Sequence, residues 1–165
     1  MKLSIKNNHK KYIFLAISFL SVLIIFGMSF LFFSLHSVPA CKAVVKVIRT
    51  YDGEKKESVI LVNLVPSGFR EMTFVVNGQA ASVQQSYTLS RMIEADYTYQ
   101  SGYYYFRVKD IKKMPADNIG EDAVSKTLPI VNSRYFFLKV EALGENSFVF
   151  TGNRAPAFVC TATEN

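Results

Sequence analysis

Two hydrophobic patterns divide the chain. From Tyr12 to Leu35 apolar residues follow one another without a formal charge, interrupted only by Ser18, Ser21, Gly27, Ser29 and Ser34. As a helix rising about 1.5 Å per residue this run measures about 36 Å, enough to cross a hydrocarbon layer of about 30 Å with some tilt. Beyond it the period changes. Runs of β-branched and aromatic residues alternate with turn residues at roughly ten-residue spacing, the signature of an all-β body.

The strands can be placed one by one. Cys41 to Tyr51 and Glu57 to Val65 are separated by Asp52-Gly53, a hairpin signal. In the second run Ile60, Val62 and Leu64 fall on one face while Glu57 and Asn63 fall on the other, so one side packs and the other meets water. Pro66-Ser67-Gly68 leads into Phe69 to Val76, and Asn77-Gly78 is expected to turn that run into the next. Long or broken strands are expected through Tyr87, Leu89, Met92 and Ile93 to Tyr97 and Tyr99, before a turn at Gln100-Ser101-Gly102. Tyr103 to Ile111 follows, then a non-strand interval from Lys112 to Pro129. There Asn118 and Glu121 have capping-box spacing, Ile119 and Ala123 lie one helical turn apart, and Pro129 is a stop, which together predict a short helix.

Ser133 to Leu143, Ser147 to Thr151 and Ala157 to Ala162 bring the total to about eight or nine antiparallel strands, which suits a closed or nearly closed, lipocalin-like barrel first and a sandwich second. The expected organisation is a basic cytoplasmic tail at 1–11, a transmembrane helix at 12–35 and a periplasmic β domain at 36–165. With 165 residues the chain has room for one such domain.

Charge bears on topology rather than on ligand class. The chain carries 19 basic and 13 acidic residues, but Lys2, Lys6, Lys10 and Lys11 precede the apolar run with no acidic residue among them. Such a cluster favours a cytoplasmic N-terminus, leaving the larger part outside. With those four lysines set aside the charges nearly balance, so direct nucleic-acid binding is not expected. A tail of residues 1–11 is far below the roughly 40 residues of a self-stabilised domain, so no activity is expected there. The competing reading is a cleaved signal peptide, since Val38-Pro39-Ala40-Cys41 has the outline of a lipoprotein cleavage box. The apolar run is too long for an ordinary signal core of about 7 to 15 residues, and Pro39 sits awkwardly beside a cleavage site, which favours an uncleaved anchor.

The two cysteines support export. Cys41 opens the exported part and Cys160 nearly closes it, both in predicted strands, and pairing the first strand with the last would join them in a disulfide. A bridge over so long a loop stabilises by roughly 4 to 5 kcal/mol in the chain-entropy picture. Two isolated buried thiols are the alternative.

Catalytic chemistry finds little support. The only histidines are His9 and His36, so the exported body lacks the base of a Ser-His-Asp or Cys-His arrangement and the ligands of a His-rich metal site. Glu94 and Asp96 share a face of an extended segment, and Asp117, Glu121 and Asp122 cluster in the long loop, but these are expected to be solvated carboxylates. No Gly-rich phosphate loop occurs, and no enzyme activity, cofactor or metal is expected. The most distinctive positive feature is aromatic. Tyr97, Tyr99, Tyr103, Tyr104, Tyr105 and Phe106 flank one hairpin turn, where they could line a barrel mouth, form a partner surface, or simply pack across the strands.

The basic tail, single apolar helix, Cys just beyond it and terminal run Phe148-Val149-Phe150-Thr151-Gly152-Asn153-Arg154-Ala155-Pro156-Ala157-Phe158-Val159-Cys160 together resemble the FidL-like membrane protein family of enterobacteria. The layout is also similar to ToxS and VtrC, small companions of ToxR-type membrane-bound transcription regulators. The resemblance implies a periplasmic accessory role in the inner membrane, with a neighbouring regulator as partner. By analogy with VtrC, it implies as an alternative a lipocalin-like module that accommodates a bile salt or other amphipathic small molecule. No binding residue is carried over by motif.

Overall fold

The computed structural model describes residues 5–35, 37–51, 53–81, 86–120, 133–153 and 155–163. It separates into two units, Met1–Ser37 and Val38–Asn165. The first is one helix, α1 (Ile5–Leu35), whose segment Lys10–Leu31 is long and apolar enough to cross a membrane. Its described side chains are exposed over that length, as expected of a helix whose apolar surface has no protein core to enter. Ser21 donates its hydroxyl to the Ile17 carbonyl at 2.9 Å, so this polar interruption is satisfied within the helix. The helix begins at Ile5, inside the expected tail, because the lysines end the hydropathy pattern without breaking the backbone. It stops before Pro39, which disfavours helical geometry in the residue preceding it.

The second unit is a closed antiparallel barrel of eight strands in simple sequential order. These are β1 (Cys41–Tyr51), β2 (Glu54–Gly68), β3 (Glu71–Ala81), β4 (Ser86–Gln100), β5 (Tyr103–Lys113), β6 (Tyr135–Ala142), β7 (Ser147–Thr151) and β8 (Pro156–Ala162). Two-residue connections join β1 to β2 and β4 to β5. Gly53 in the first has φ 85°, while Ser101 and Gly102 in the second have φ 53° and 86°, the left-handed pair that a tight hairpin requires. Asp52 lies outside the described residues.

The alternation predicted for β2 holds: Ile60, Val62 and Leu64 are buried, and Val59, Leu61 and Val65 face outward. The same alternation around the wall fills the interior with Met72, Phe74, Leu89, Ile93, Phe106, Leu138 and Phe150, each 3 % exposed or less. Burying such side chains contributes about 1.5–3 kcal/mol apiece.

Asn77-Gly78 is not a turn. Both residues lie inside β3, which runs on to Ala81, with Gly78 opposite Ile60 of β2. A Cβ at Gly78 would collide with the Val59 carbonyl and the Ile60 Cα, so the glycine is there to let two strands approach, and a local turn signal gives way to that tertiary demand. Of the long or broken strands expected from Tyr87 to Tyr99, the structure has the long one, β4, unbroken from Ser86 to Gln100.

The barrel closes unevenly. β1 meets β8 through only Cys41↔Ala162 and Lys42↔Thr161, and β5 meets β6 only from Tyr104↔Leu138 to Arg107↔Tyr135. Past that point the chain following β5 covers the free edge of β4. The Met114 amide donates to the Ser90 carbonyl, the Asn118 amide to the Thr88 carbonyl, and Thr88 N–H donates to Asn118 Oδ1 at 2.7 Å. Ile119, 1 % exposed, enters the core there. Asn118 is thus engaged with a strand edge; the remainder of the predicted helix, from Glu121 to Pro129, lies outside the described residues.

Candidate functional site

The aromatic hairpin splits into two faces, because neighbouring residues in a strand point to opposite sides. Tyr97, Tyr104 and Phe106 are buried, and Tyr99 packs partly buried against the same cluster. Register places Tyr97 opposite Phe106 and Tyr99 opposite Tyr104. The inward rings make a continuous set: Tyr99 to Tyr104 at 4.9 Å, Tyr97 to Tyr104 at 5.8 Å, Tyr97 to Phe106 at 5.6 Å and Phe106 stacked on Phe136 at 4.9 Å between centroids. The Tyr97 hydroxyl accepts from the Val38 amide at 3.4 Å, tying the first residue of the barrel to β4. Burial pushes the Tyr104 phenol above its ordinary pKa, and the neighbouring Tyr99 and Tyr97 add to the shift. Tyr97, Tyr104 and Phe106 are core, and Tyr99 packs against them.

Tyr103 and Tyr105 face outward. Both contact the ring of Phe137 on β6, each with centroids 5.8 Å apart, and Tyr135 stands beside them 68 % exposed. The outer face of β5 and β6 therefore presents Tyr103, Tyr105, Tyr135 and Phe137 together. The alternation in Tyr135-Phe136-Phe137-Leu138 is visible in sequence, but only the β5–β6 register, with Tyr105 opposite Phe137, brings those rings to the hairpin. Arg107 flanks the face. It donates to Asp96 at 2.6 Å, a bond that, with a second from Lys109, holds the Asp96 carboxyl below its usual range despite some desolvation. Glu94 shares the outer face of β4 with Asp96, as their spacing predicts, and pairs with Lys112.

Asp117 departs from expectation. Rather than a solvated loop carboxylate, it is buried to 0 % side-chain exposure against Arg91, itself 2 % exposed. Asp117 Oδ2 accepts from Arg91 Nε and from the Ser90 amide, each at 3.0 Å, and Lys113 Nζ approaches Oδ1 at 3.4 Å. Burial alone would raise the carboxyl's pKa, but the Ser90 amide, Arg91 and Lys113 outweigh it and the pKa is lowered. The pair pins the segment after β5 to β4 and delivers Ile119 to the core. Glu121 and Asp122 lie outside the described residues. Among the described residues no group of three or more His, Cys, Asp or Glu could hold a metal ion.

Cys41 and Cys160 are bonded, with Cα atoms 5.6 Å apart, at the base of the narrow β1–β8 seam. A Cys41 sulfur engaged in this bond cannot also carry the thioether of a lipoprotein. Of the tail lysines, Lys6, Lys10 and Lys11 fall within α1 and the last two are exposed; Lys2 lies outside the described residues.

The chain is thus a closed eight-stranded antiparallel barrel with an N-terminal helix long and apolar enough to span a membrane. No protein-family model matches it, and no curated protein matches it.

Proposed function

We propose that this chain is a single-pass inner-membrane accessory protein, N-terminus cytoplasmic, whose periplasmic barrel binds and modulates a ToxR-like membrane-bound transcription regulator. The observation that carries the reading is the outward aromatic face. Tyr103, Tyr105, Tyr135 and Phe137 lie on the wall of a barrel whose interior is already occupied, so their apolar area is offered to another molecule, and Tyr is a residue type favoured at protein interfaces. The basic residues before the apolar run support the orientation, and a disulfide at the base of the barrel suits an oxidising compartment. An amphipathic ligand inside the barrel would have to displace Phe106, Phe150 and their neighbours, so the aromatic exterior is preferred over the interior as the site.

The test is isolation of the full chain from native membranes after crosslinking. The regulator is expected to co-purify with the natural chain and to be lost from a Tyr105→Ala/Tyr135→Ala variant that keeps its disulfide. Equal capture by both forms, or unchanged regulator level and output in a deletion strain, refutes the proposal.

A further inference from the structure

The outer wall of the barrel is not uniform. Around β3, β4 and β5 it is charged and internally neutralised: Glu71 pairs with Lys109, Asp96 with Arg107, and Glu94 with Lys112. Across β1 and β2 it is aliphatic. Val44 and Ile48 are 67 % and 57 % exposed, and Val59 and Leu61 beside them are exposed as well. Register makes these one strip, because Val44 lies opposite Leu61, and Val59 lies opposite Lys46, midway between Val44 and Ile48. Lys46 is neutralised by Glu57 at 2.7 Å. Lys42 and Lys55 differ from it: both are exposed, they stand at opposite ends of the strip, and neither enters an ion pair among the described residues. Asn63, opposite Lys42 on the same face, has its Oδ1 covered and without a hydrogen-bond donor.

These features specify an occupant. From Lys42 to Thr50, which lies opposite Lys55, the strip runs about 26 Å at about 3.3 Å per residue, and it is two strands wide. An α-helix about 10 Å across covers two strands, and about 17 of its residues span that length. We propose that the outer face of β1 and β2 docks an amphipathic helix of a partner protein, apolar toward Val44, Ile48, Val59 and Leu61 and acidic at both ends, where its carboxylates meet Lys42 and Lys55. Burial of the aliphatic side chains supplies the attraction, and an unpaired cation at each end of the strip fixes the helix along it. A protein suits the face better than a lipid surface. Asn63 calls for a directed N–H or O–H, which acyl chains lack, and the strip holds none of the aromatic residues that gather at membrane interfaces. The face is separate from the aromatic one on β5 and β6, with β3 and β4 between them on one side and β7 and β8 on the other.

The test is photo-cross-linking of the full chain in its native host. p-Benzoylphenylalanine replaces Val44 or Val59 in the strip, or Asp110 on the charged wall, whose side chain is 54 % exposed and serves as the control. Cells are irradiated and the captured segment is identified by mass spectrometry, while a non-reducing gel checks that each variant retains the Cys41–Cys160 bond. Both strip positions are expected to capture the same segment of one other protein, with apolar residues at helical spacing between acidic ends, and the Asp110 position is expected not to. Lys42→Glu/Lys55→Glu should lower the yield by about tenfold or more, since each reversal turns an attraction into a repulsion, and exchanging the acidic residues of the captured segment for lysine should restore it. Capture of lipid, of a second copy of this chain or of nothing overturns the proposal. So does equal capture from the Asp110 position, or a yield that the lysine reversals leave unchanged.

Discussion

Removing the Cys41–Cys160 bond tests how the barrel is held shut. The two cysteines are separated by 119 positions, and a cross-link closing a loop of that length lowers the entropy of the unfolded chain by an amount equivalent to about 5 kcal/mol at 25 °C. Domain stabilities are about 5–15 kcal/mol, so this one bond represents a third or more of the total. The native state offers little in its place, since the β1–β8 seam holds only two register pairs. Cys41→Ala/Cys160→Ala is the suitable variant, because serine would bury an unpaired hydroxyl at positions 0 % and 1 % exposed. Urea unfolding of the full chain in detergent, followed by circular dichroism, is expected to show a loss of about 3–5 kcal/mol and a steeper dependence on denaturant, since the uncross-linked chain unfolds to a more expanded state. The thermal midpoint should fall by roughly 15–20 °C. Either single substitution should cost nearly as much as both, because each alone abolishes the bond. A loss under about 1 kcal/mol with an unchanged slope would refute the reasoning, since the bond would then not be restricting the denatured chain.

Two further substitutions probe the wall and the pinned segment. Gly78→Ala should destabilise by about 1–3 kcal/mol in the same unfolding assay, because its methyl meets the backbone of Val59 and Ile60, and wild-type stability would mean that β2 and β3 can separate freely. Asp117→Ala should cost about 3–5 kcal/mol by removing the carboxylate that accepts from Nε of the charged, buried Arg91. Asp117 also gives a pH signature: its folded pKa lies below the unfolded value near about 3.9, so its contribution is complete above that value and is lost as pH falls through the folded one. The acid arm of the stability curve should therefore flatten in Asp117→Ala, and an unaltered arm would count against the assignment.

What could be read from the sequence follows the range of the interactions involved. The hairpin at Gln100-Ser101-Gly102 and the β2 face formed by Ile60, Val62 and Leu64 are set by neighbours in the chain, and period and turn chemistry sufficed to place them. Asn77-Gly78 carries the same local signal as a hairpin, yet Gly78 answers to β2 passing close by, information absent from the dipeptide. Asp117 looked like one carboxylate among three in a polar loop, and its burial depends on Arg91, 26 positions earlier and on another element. The aromatic cluster is a mixed case. Alternation alone separates Tyr104 and Phe106 from Tyr103 and Tyr105, but the outward pair becomes a surface only when β6 adds Tyr135 and Phe137 through a long connection. A barrel wall makes this general: each strand's own pattern says which residues face out, while the composition of any outer patch depends on which strand lies next to it. For a protein acting through its exterior, the patch is therefore set by strand order and register, and a test of function should substitute Tyr105 and Tyr135 across the strand boundary rather than successive residues along one strand.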